Sequence, residues 1–265
     1  RRLGQRPFLG VVFRHGLYYR FIRRRSGVVM MSANESTNAF LDKAWADRGP
    51  KLISGFSRPV YHNLIGLLNG RTYDKKAYGG MIRHTEAGML SHWAARVPDG
   101  GVVVEVGCYG GLSTSYLLRG LKKRDGRIYA IDPFDSDVDK QEQLTDGCVP
   151  LENKPTKALV AERLRRNGFD GMFELIEGFS QEAARDWDPA VKIDFLWIDG
   201  NHEQAYQDFK DFEPHLNPGA RVAVHDAHPR YGYQAVVDDV KRIFSEGAWA
   251  DMEHVKSIIS GRKVG

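Results

Sequence analysis

The stretch that most constrains this chain runs from Val102 to Thr114, VVVEVGCYGGLST. Four of its first five residues are valine, with no polar alternation, which predicts a strand buried on both faces. A glycine-rich turn follows, where the backbone can take positive φ and a ligand can approach the main chain. Leu112, Tyr116, Leu117 and Leu121 then form the apolar face of a helix. Strand, glycine turn and helix in that order open a mononucleotide-binding α/β unit.

The glycine spacing narrows the choice of nucleotide. Aligning G-x-G-x-x-G from Gly107 puts Tyr109 at the second glycine and Leu112 at the third. The second glycine is the one that lets a pyrophosphate touch the backbone, so a tyrosine there argues against NAD or FAD. No G-x-x-x-x-G-K-[ST] occurs, which excludes a P-loop. The spacing suits adenosine without a phosphate. Glu105-Val106-Gly107-Cys108-Tyr109-Gly110-Gly111 resembles the first motif of class I S-adenosylmethionine-dependent methyltransferases. The plainer alternative is a glycine-rich turn of some other α/β protein.

Length and composition set outer bounds. At 265 residues the chain can bury one sizeable α/β core with extra elements. No run of eighteen apolar residues is present, so no transmembrane helix is expected. Cys108 and Cys148 match no zinc or redox spacing, and a cytoplasmic setting is the default. The net charge of +4 is uneven: residues 1–25 hold eight arginines and no acid. Residues 1–78 are read as a basic, helical N-terminal extension and connector, and residues 79–265 as the main domain. Within the extension, residues 7–25 are expected to be a helix packed on the domain or on a second subunit of a homo-oligomer. The alternative is an arm at the inner face of an anionic membrane. No nucleic-acid reader motif accompanies the charge, so nucleic acid is not an expected partner. Short helices are expected at Asn38–Trp45 and Tyr61–Leu68, and a loop at residues 69–80.

From His84 onward, helical and strand patterns alternate. Helix is expected near His84–Arg96, strand at Arg127–Asp132 and helix at Thr156–Asn167. Strands follow at Met172–Ile176 and Ile193–Ile198, with helices at Gln181–Trp187 and Glu203–His215. Asn217-Pro218-Gly219 reads as a turn, Arg221–Asp226 as a fifth strand and Gln234–Phe244 as a helix. Met252–Val264 reads as a final hairpin or edge strand. This order predicts a doubly wound, Rossmann-like parallel sheet with right-handed crossovers. Residues 134–155 are long for a connection and read as a lid or substrate loop.

Acids stand at the strand ends, where open α/β sheets hold ligands. Asp132 lies 25 positions after Gly107 and can accept hydrogen bonds from both ribose hydroxyls of an adenosine. Phe179 or Ser180, after Gly178, is a candidate to lie against adenine, with a place in the core as the alternative for Phe179. Glu105, inside the buried strand, needs a partner: either the N–H groups of the glycine turn or a ligand amino group. Asp199 and Asp226 end neighbouring strands and could converge on a hard divalent cation such as Mg²⁺. His202 is the first candidate for a general base and His228 the second; His202 as a simple helix-terminal residue is the alternative. His225 reads as a packed core histidine and Asp194 as structural.

Ile198-Asp199-Gly200-Asn201-His202 and Leu216-Asn217-Pro218-Gly219-Ala220-Arg221-Val222-Ala223-Val224-His225-Asp226 bring the resemblance closer to one branch. That branch contains the sugar and natural-product O-methyltransferases of macrocin and mycinamicin type. It implies a seven-stranded sheet, order 3-2-1-4-5-7-6, with the last strand antiparallel. It also implies S-adenosylmethionine bound by Glu105, Gly107, Tyr109, Gly110, Ser113, Asp132, Gly178, Phe179, Ser180 and Asp199. The implied acceptor is a small molecule or saccharide, with Asp199, His202 and His228 as catalytic candidates and Asp199 and Asp226 on Mg²⁺. The chain departs from the metal-dependent pattern at Ala227, where a further acid or amide ligand is usual; a water, Asn201 or His228 is the alternative ligand. Two other readings are a non-catalytic docking protein on the same fold and a cephalosporin-hydroxylase-like enzyme. No H-x-D…H triad supports iron in the latter.

Overall fold

A computed structural model describes residues 11–14, 17–24, 27–46, 80, 82–135, 155–231 and 233–264. Strands β1 (Val11–Arg14), β2 (Leu17–Arg24) and β3 (Gly27–Ser32) form an antiparallel three-stranded sheet. This corrects the helix expected over residues 7–25. Arg14 pairs with Leu17 and Arg24 with Gly27, so each connection is two residues long, the hairpin spacing. The segment is rich in valine, tyrosine, phenylalanine and isoleucine, which favour strands; the interspersed arginines had concealed that signal. Helix α1 (Ala33–Ala46) contains the helix expected at Asn38–Trp45. The helix expected at Tyr61–Leu68, most of the loop at 69–80 and most of the lid at 134–155 lie outside the described residues.

The main sheet has seven strands. Helix α2 (His84–Ala94) precedes β4 (Val102–Val106), α3 (Leu112–Leu121), β5 (Arg127–Asp132), α4 (Lys157–Arg166) and β6 (Phe173–Glu177). Then come α5 (Ser180–Arg185), β7 (Ile193–Ile198), α6 (Ala205–Phe212), β8 (Leu216–Val224) and α7 (Gln234–Ser245). The hairpin β9 (Ala248–Val255) and β10 (Ile258–Val264) closes the chain. In space the order is β6-β5-β4-β7-β8-β10-β9, which counted within this sheet is 3-2-1-4-5-7-6. Neighbours from β6 to β8 are parallel, and β10 runs antiparallel to both β8 and β9. The expected Rossmann-like order is therefore present, including the reversed seventh strand.

The valine run of β4 is explained by cover on both faces. Val103, Phe195 and Trp197 pack toward Leu90, Leu117 and Leu118 of α2 and α3. Val104, Leu196 and Ile198 pack toward Phe209, Phe212, Val240 and Phe244 of α6 and α7. Leu41 of α1 joins this second cluster, and Trp45 Nε1 donates to Ala227 O at 2.9 Å, tying α1 to the end of β8.

Asn217–Gly219, expected as a free turn, lies inside β8. The register passes from Ile193↔Leu216 to Phe195↔Arg221, so the extra residues bulge out of the ladder. A bulge accommodates Pro218, which has no N–H to donate. Asp194 is structural as expected: its carboxylate accepts from Val102 N and from Asn217 Nδ2, both at 2.9 Å. It fastens the start of β4 to this bulge.

Candidate functional site

The central parallel strands end together. Gly107 N donates to Ile131 O at 2.9 Å, Asp199 N to Val106 O at 2.8 Å and His225 N to Ile198 O at 2.9 Å. These bonds bring the turns after β4, β5, β7 and β8 into one cleft. Tyr109, Phe134 and Asp226 sit at three of these ends with φ of 46°, 51° and 49°. Left-handed backbone at non-glycine residues is uncommon and clusters where ligands are held.

A cavity of about 460 Å³ opens between the turns of β4, β5 and β6. The expected cofactor residues Gly107, Tyr109, Asp132, Gly178, Phe179, Ser180 and Asp199 line it, together with Gln181, Asn201 and Gln204. Asp132 accepts from Tyr109 N and from Phe134 N, each at 2.7 Å, which locks the glycine turn to the end of β5. Burial pushes its pKa up against these backbone donors. Asp132 nonetheless lines the cavity. Phe179 leaves 57% of its surface exposed there, unusual for a phenylalanine and suited to stacking on a flat ring. Ser180 Oγ donates to buried Asp208 at 2.6 Å, and burial lifts Asp208 to about 6. No lysine or arginine lines this cavity among the described residues.

A second cavity, about 120 Å³, shares Gly107, Tyr109, Asp199 and Gly200 with the first. It is also lined by Gly110, Ser113, His202, His225, Asp226 and Tyr233. His202 Nε2 lies 3.2 Å from Asp226 Oδ2, and the His202 ring stacks on Tyr233 at 3.8 Å between centroids. Burial raises Asp226, but the His202 hydrogen bond and the charge of His225 outweigh it and hold the pKa below the usual value. An ionised Asp226 makes Nε2 the N–H nitrogen of His202, which leaves Nδ1 as its basic atom.

His225 is not the inert core histidine expected. Its Nδ1 lies 2.8 Å from Asp199 Oδ1 and 3.6 Å from Asp226 Oδ2. Its Nε2 lies 3.8 Å from Glu86 Oε2, within ion-pair range but beyond a hydrogen bond. Burial lowers the His225 pKa, yet Asp199, Glu86 and Asp226 together raise it well above the ordinary value. Asp199 is pushed up by burial and by Asp226, and pulled down by His225. We place the shared proton on His225, because three carboxylates surround it. Glu86 accepts from Ser257 N at 2.9 Å, Ser257 Oγ at 2.6 Å and Arg83 N at 2.9 Å. Burial raises its pKa, but His225 and then the two Ser257 bonds outweigh it and hold Glu86 down at about 2. The signal for Glu86 was a carboxylate on the same helical face as Met89, Leu90 and Trp93, where an acid needs a buried partner.

Two expected residues are not brought to either cavity. His228 is buried, stacks on His254 and accepts Arg230 N at Nδ1 over 3.1 Å. The chain turns it away immediately after Ala227, so it is not a base for this cleft. Glu105 is fully buried and bonds neither turn N–H groups nor cavity. Its Oε2 accepts from Thr114 Oγ1 at 2.6 Å, pinning β4 to the first turn of α3, and its Oε1 has no hydrogen-bond partner. Burial, then the charges of Asp199 and Asp132, outweigh the Ser113 and Thr114 hydroxyls and push Glu105 up to about 8. The folded protein thus holds a proton that the unfolded chain releases above pH 4.5. Stability should fall by about 1.4 kcal/mol per pH unit through that window, up to about pH 8, and level off above it. Denaturant melts of wild type and Glu105→Gln from acid to alkaline pH check this. Glu105→Gln should lose that slope, and parallel curves for the two proteins would refute the assignment.

The expected divalent metal does not fit the donor set. The third-ligand position is Ala227, which is apolar and buried. Asp199 Oδ1 and Asp226 Oδ2 both face His225 Nδ1. No group of three metal-ligating side chains assembles among the described residues.

Comparisons with known proteins agree with the fold. Residues 104–227 match the model of a methyltransferase domain family. A search of curated proteins finds no match. An S-adenosylhomocysteine-bound methyltransferase of Podospora anserina superposes with a TM-score of 0.52 at 12% identity, over 90% of this chain and 99% of that one. A candidate O-methyltransferase of Klebsiella pneumoniae gives 0.54 at 14% identity, over 87% and 97%. A Corynebacterium glutamicum protein gives 0.53 at 16% identity, over 78% and 98%. At these identities the likeness is one of fold: a Rossmann-like methyltransferase fold. No helix among the described residues is long and apolar enough to cross a membrane.

Proposed function

We propose that the chain is an S-adenosylmethionine-dependent O-methyltransferase acting on a hydroxyl of a sugar or another polar small molecule. The observation that carries this reading is the meeting of two cavities at Gly107 and Asp199. The larger suits an adenosine: Asp132 for the ribose diol and Phe179 for the adenine. The smaller holds a histidine oriented by a carboxylate. The Podospora structure holds S-adenosylhomocysteine, the demethylated product, on the same fold. The acceptor class and the macrocin-type branch rest on the resemblance of the I-D-G-N-H and L-N-P-G-A-R-V-A-V-H-D motifs.

When bound, S-adenosylmethionine supplies a methyl group on a positively charged sulfur that departs as a neutral thioether. The chain must bring the acceptor oxygen in line and remove its proton. His202 Nδ1 takes that proton, and Asp226 stabilises the imidazolium that results. The Tyr233 ring fixes the plane of the imidazole.

Calorimetry with S-adenosylhomocysteine tests the reading. Wild type should bind, and Asp132→Ala should weaken binding by at least about tenfold, the value of a lost charge-assisted hydrogen bond. Asp132→Asn, which can still accept one backbone N–H, serves as the milder variant. Absence of binding to wild type at about 1 mM ligand would remove the reading.

A further inference from the structure

We propose that His225, held from behind by Glu86, is a positioning residue that takes the place of a divalent cation between Asp199 and Asp226. The site then works without a bound metal. This deepens the reading of the cleft as a methyl-transfer site and rests on it for the role of Asp199.

The geometry carries the inference. Two strand-end aspartates facing one another repel and demand a positive charge between them. In many sites a metal answers that demand, using oxygen ligands from several side chains. Here an imidazole nitrogen occupies the position, 2.8 Å from one carboxylate and 3.6 Å from the other. The opposite nitrogen faces a third carboxylate at 3.8 Å. Nδ1 is within hydrogen-bond range of Asp199, Nε2 has no hydrogen-bond partner, and the three carboxylates within 4 Å of the ring favour its charged form. Glu86 cannot swing away, because Ser257 and Arg83 hold both of its oxygens. Trp197 flanks the ring at 5.5 Å between centroids, and His202 engages Asp226 from the far side. The charged groups around His225 are therefore Glu86, Asp199 and Asp226, with His202 beyond. Ala227 removes the usual third ligand at the same point, so both features work against a metal.

Two measurements on the full-length protein decide it. Long-range proton–nitrogen NMR of the histidine rings at neutral pH should show both nitrogens of His225 protonated. Titration with Mn²⁺ in the presence of S-adenosylhomocysteine should show no binding tighter than about 1 mM. His225→Asn should gain Mn²⁺ affinity by at least about tenfold, since it leaves two carboxylates without a counter-charge. Three results overturn the proposal. One is micromolar Mn²⁺ binding by wild type that Asp199→Asn abolishes. Another is an unprotonated ring nitrogen on wild-type His225. The third is a folded His225→Asn that still binds S-adenosylhomocysteine yet acquires no Mn²⁺ affinity. If His225→Asn does not fold, the two wild-type measurements decide alone. Loss of S-adenosylhomocysteine binding in wild type would instead count against the methyl-transfer reading, so the two failures are distinct.

Discussion

His202→Ala is expected to lower methyl transfer by about 10²- to 10⁴-fold, the range for loss of a positioned general base, while S-adenosylhomocysteine affinity stays within about twofold. A neutral hydroxyl is a poor nucleophile, so its proton must leave as the new bond forms. Among the described residues lining the smaller cavity, only His202 and His225 bear imidazoles. Both nitrogens of His225 face carboxylates, which leaves His202 as the base. Its ring is fixed at two points, by Asp226 at Nε2 and by Tyr233 on its face. Asp226→Asn should therefore also slow transfer, though less, by about tenfold or more, because the imidazole survives without its charge partner. Initial rates with isotope-labelled S-adenosylmethionine and a panel of hydroxylated acceptors, paired with calorimetry, separate rate from binding. Unchanged turnover in His202→Ala would place the base elsewhere.

Gly107→Ala is expected to destabilise the fold by about 2–5 kcal/mol and to abolish binding of S-adenosylhomocysteine. A methyl on Gly107 would sit 2.3 Å from Asp199 O and 2.6 Å from Asp199 C, with φ at +84°. Backbone cannot yield as a flexible side chain can, so the end of β7 must move away from the end of β4. The two cavities share that contact, so both distort. Gly100→Ala provides the control: its φ of +73° is also left-handed, but nothing lies within 4 Å of the added carbon. It should lose only about 1–2 kcal/mol. Thermal melts of the pair separate backbone strain from collision, and equal losses would show that close approach does not explain Gly107.

The parallel half of the molecule was legible because its signals are local. A valine run, a glycine turn and acids at strand ends read the same in sequence as in space, and α3 and β5 match their expected bounds. The arginine-rich start forms strands rather than the expected helix, because the residues between its arginines are mainly β-branched and aromatic. The two-residue spacing between its β-forming runs was the better signal. Asp132 and Asp199 line the larger cavity and Asp199, His202 and Asp226 the smaller, all at or just after strand ends. Glu86 and His225 were harder, because they lie 139 residues apart in sequence and no local pattern links a helix N-terminus to the end of β8. Tyr233 shows the same limit: its stacking on His202 is set by how the start of α7 meets the turn after β7. His228 lies two residues after Asp226 in sequence, yet the turn between them buries it outside both cavities.

A crystal structure with S-adenosylhomocysteine bound is the most direct measurement of the central claim. The predicted result has both ribose hydroxyls on the Asp132 carboxylate, adenine against Phe179, and sulfur at Gly107 facing the cavity of His202. Adenine bound away from Phe179 and Asp132, or sulfur turned from His202, would contradict it.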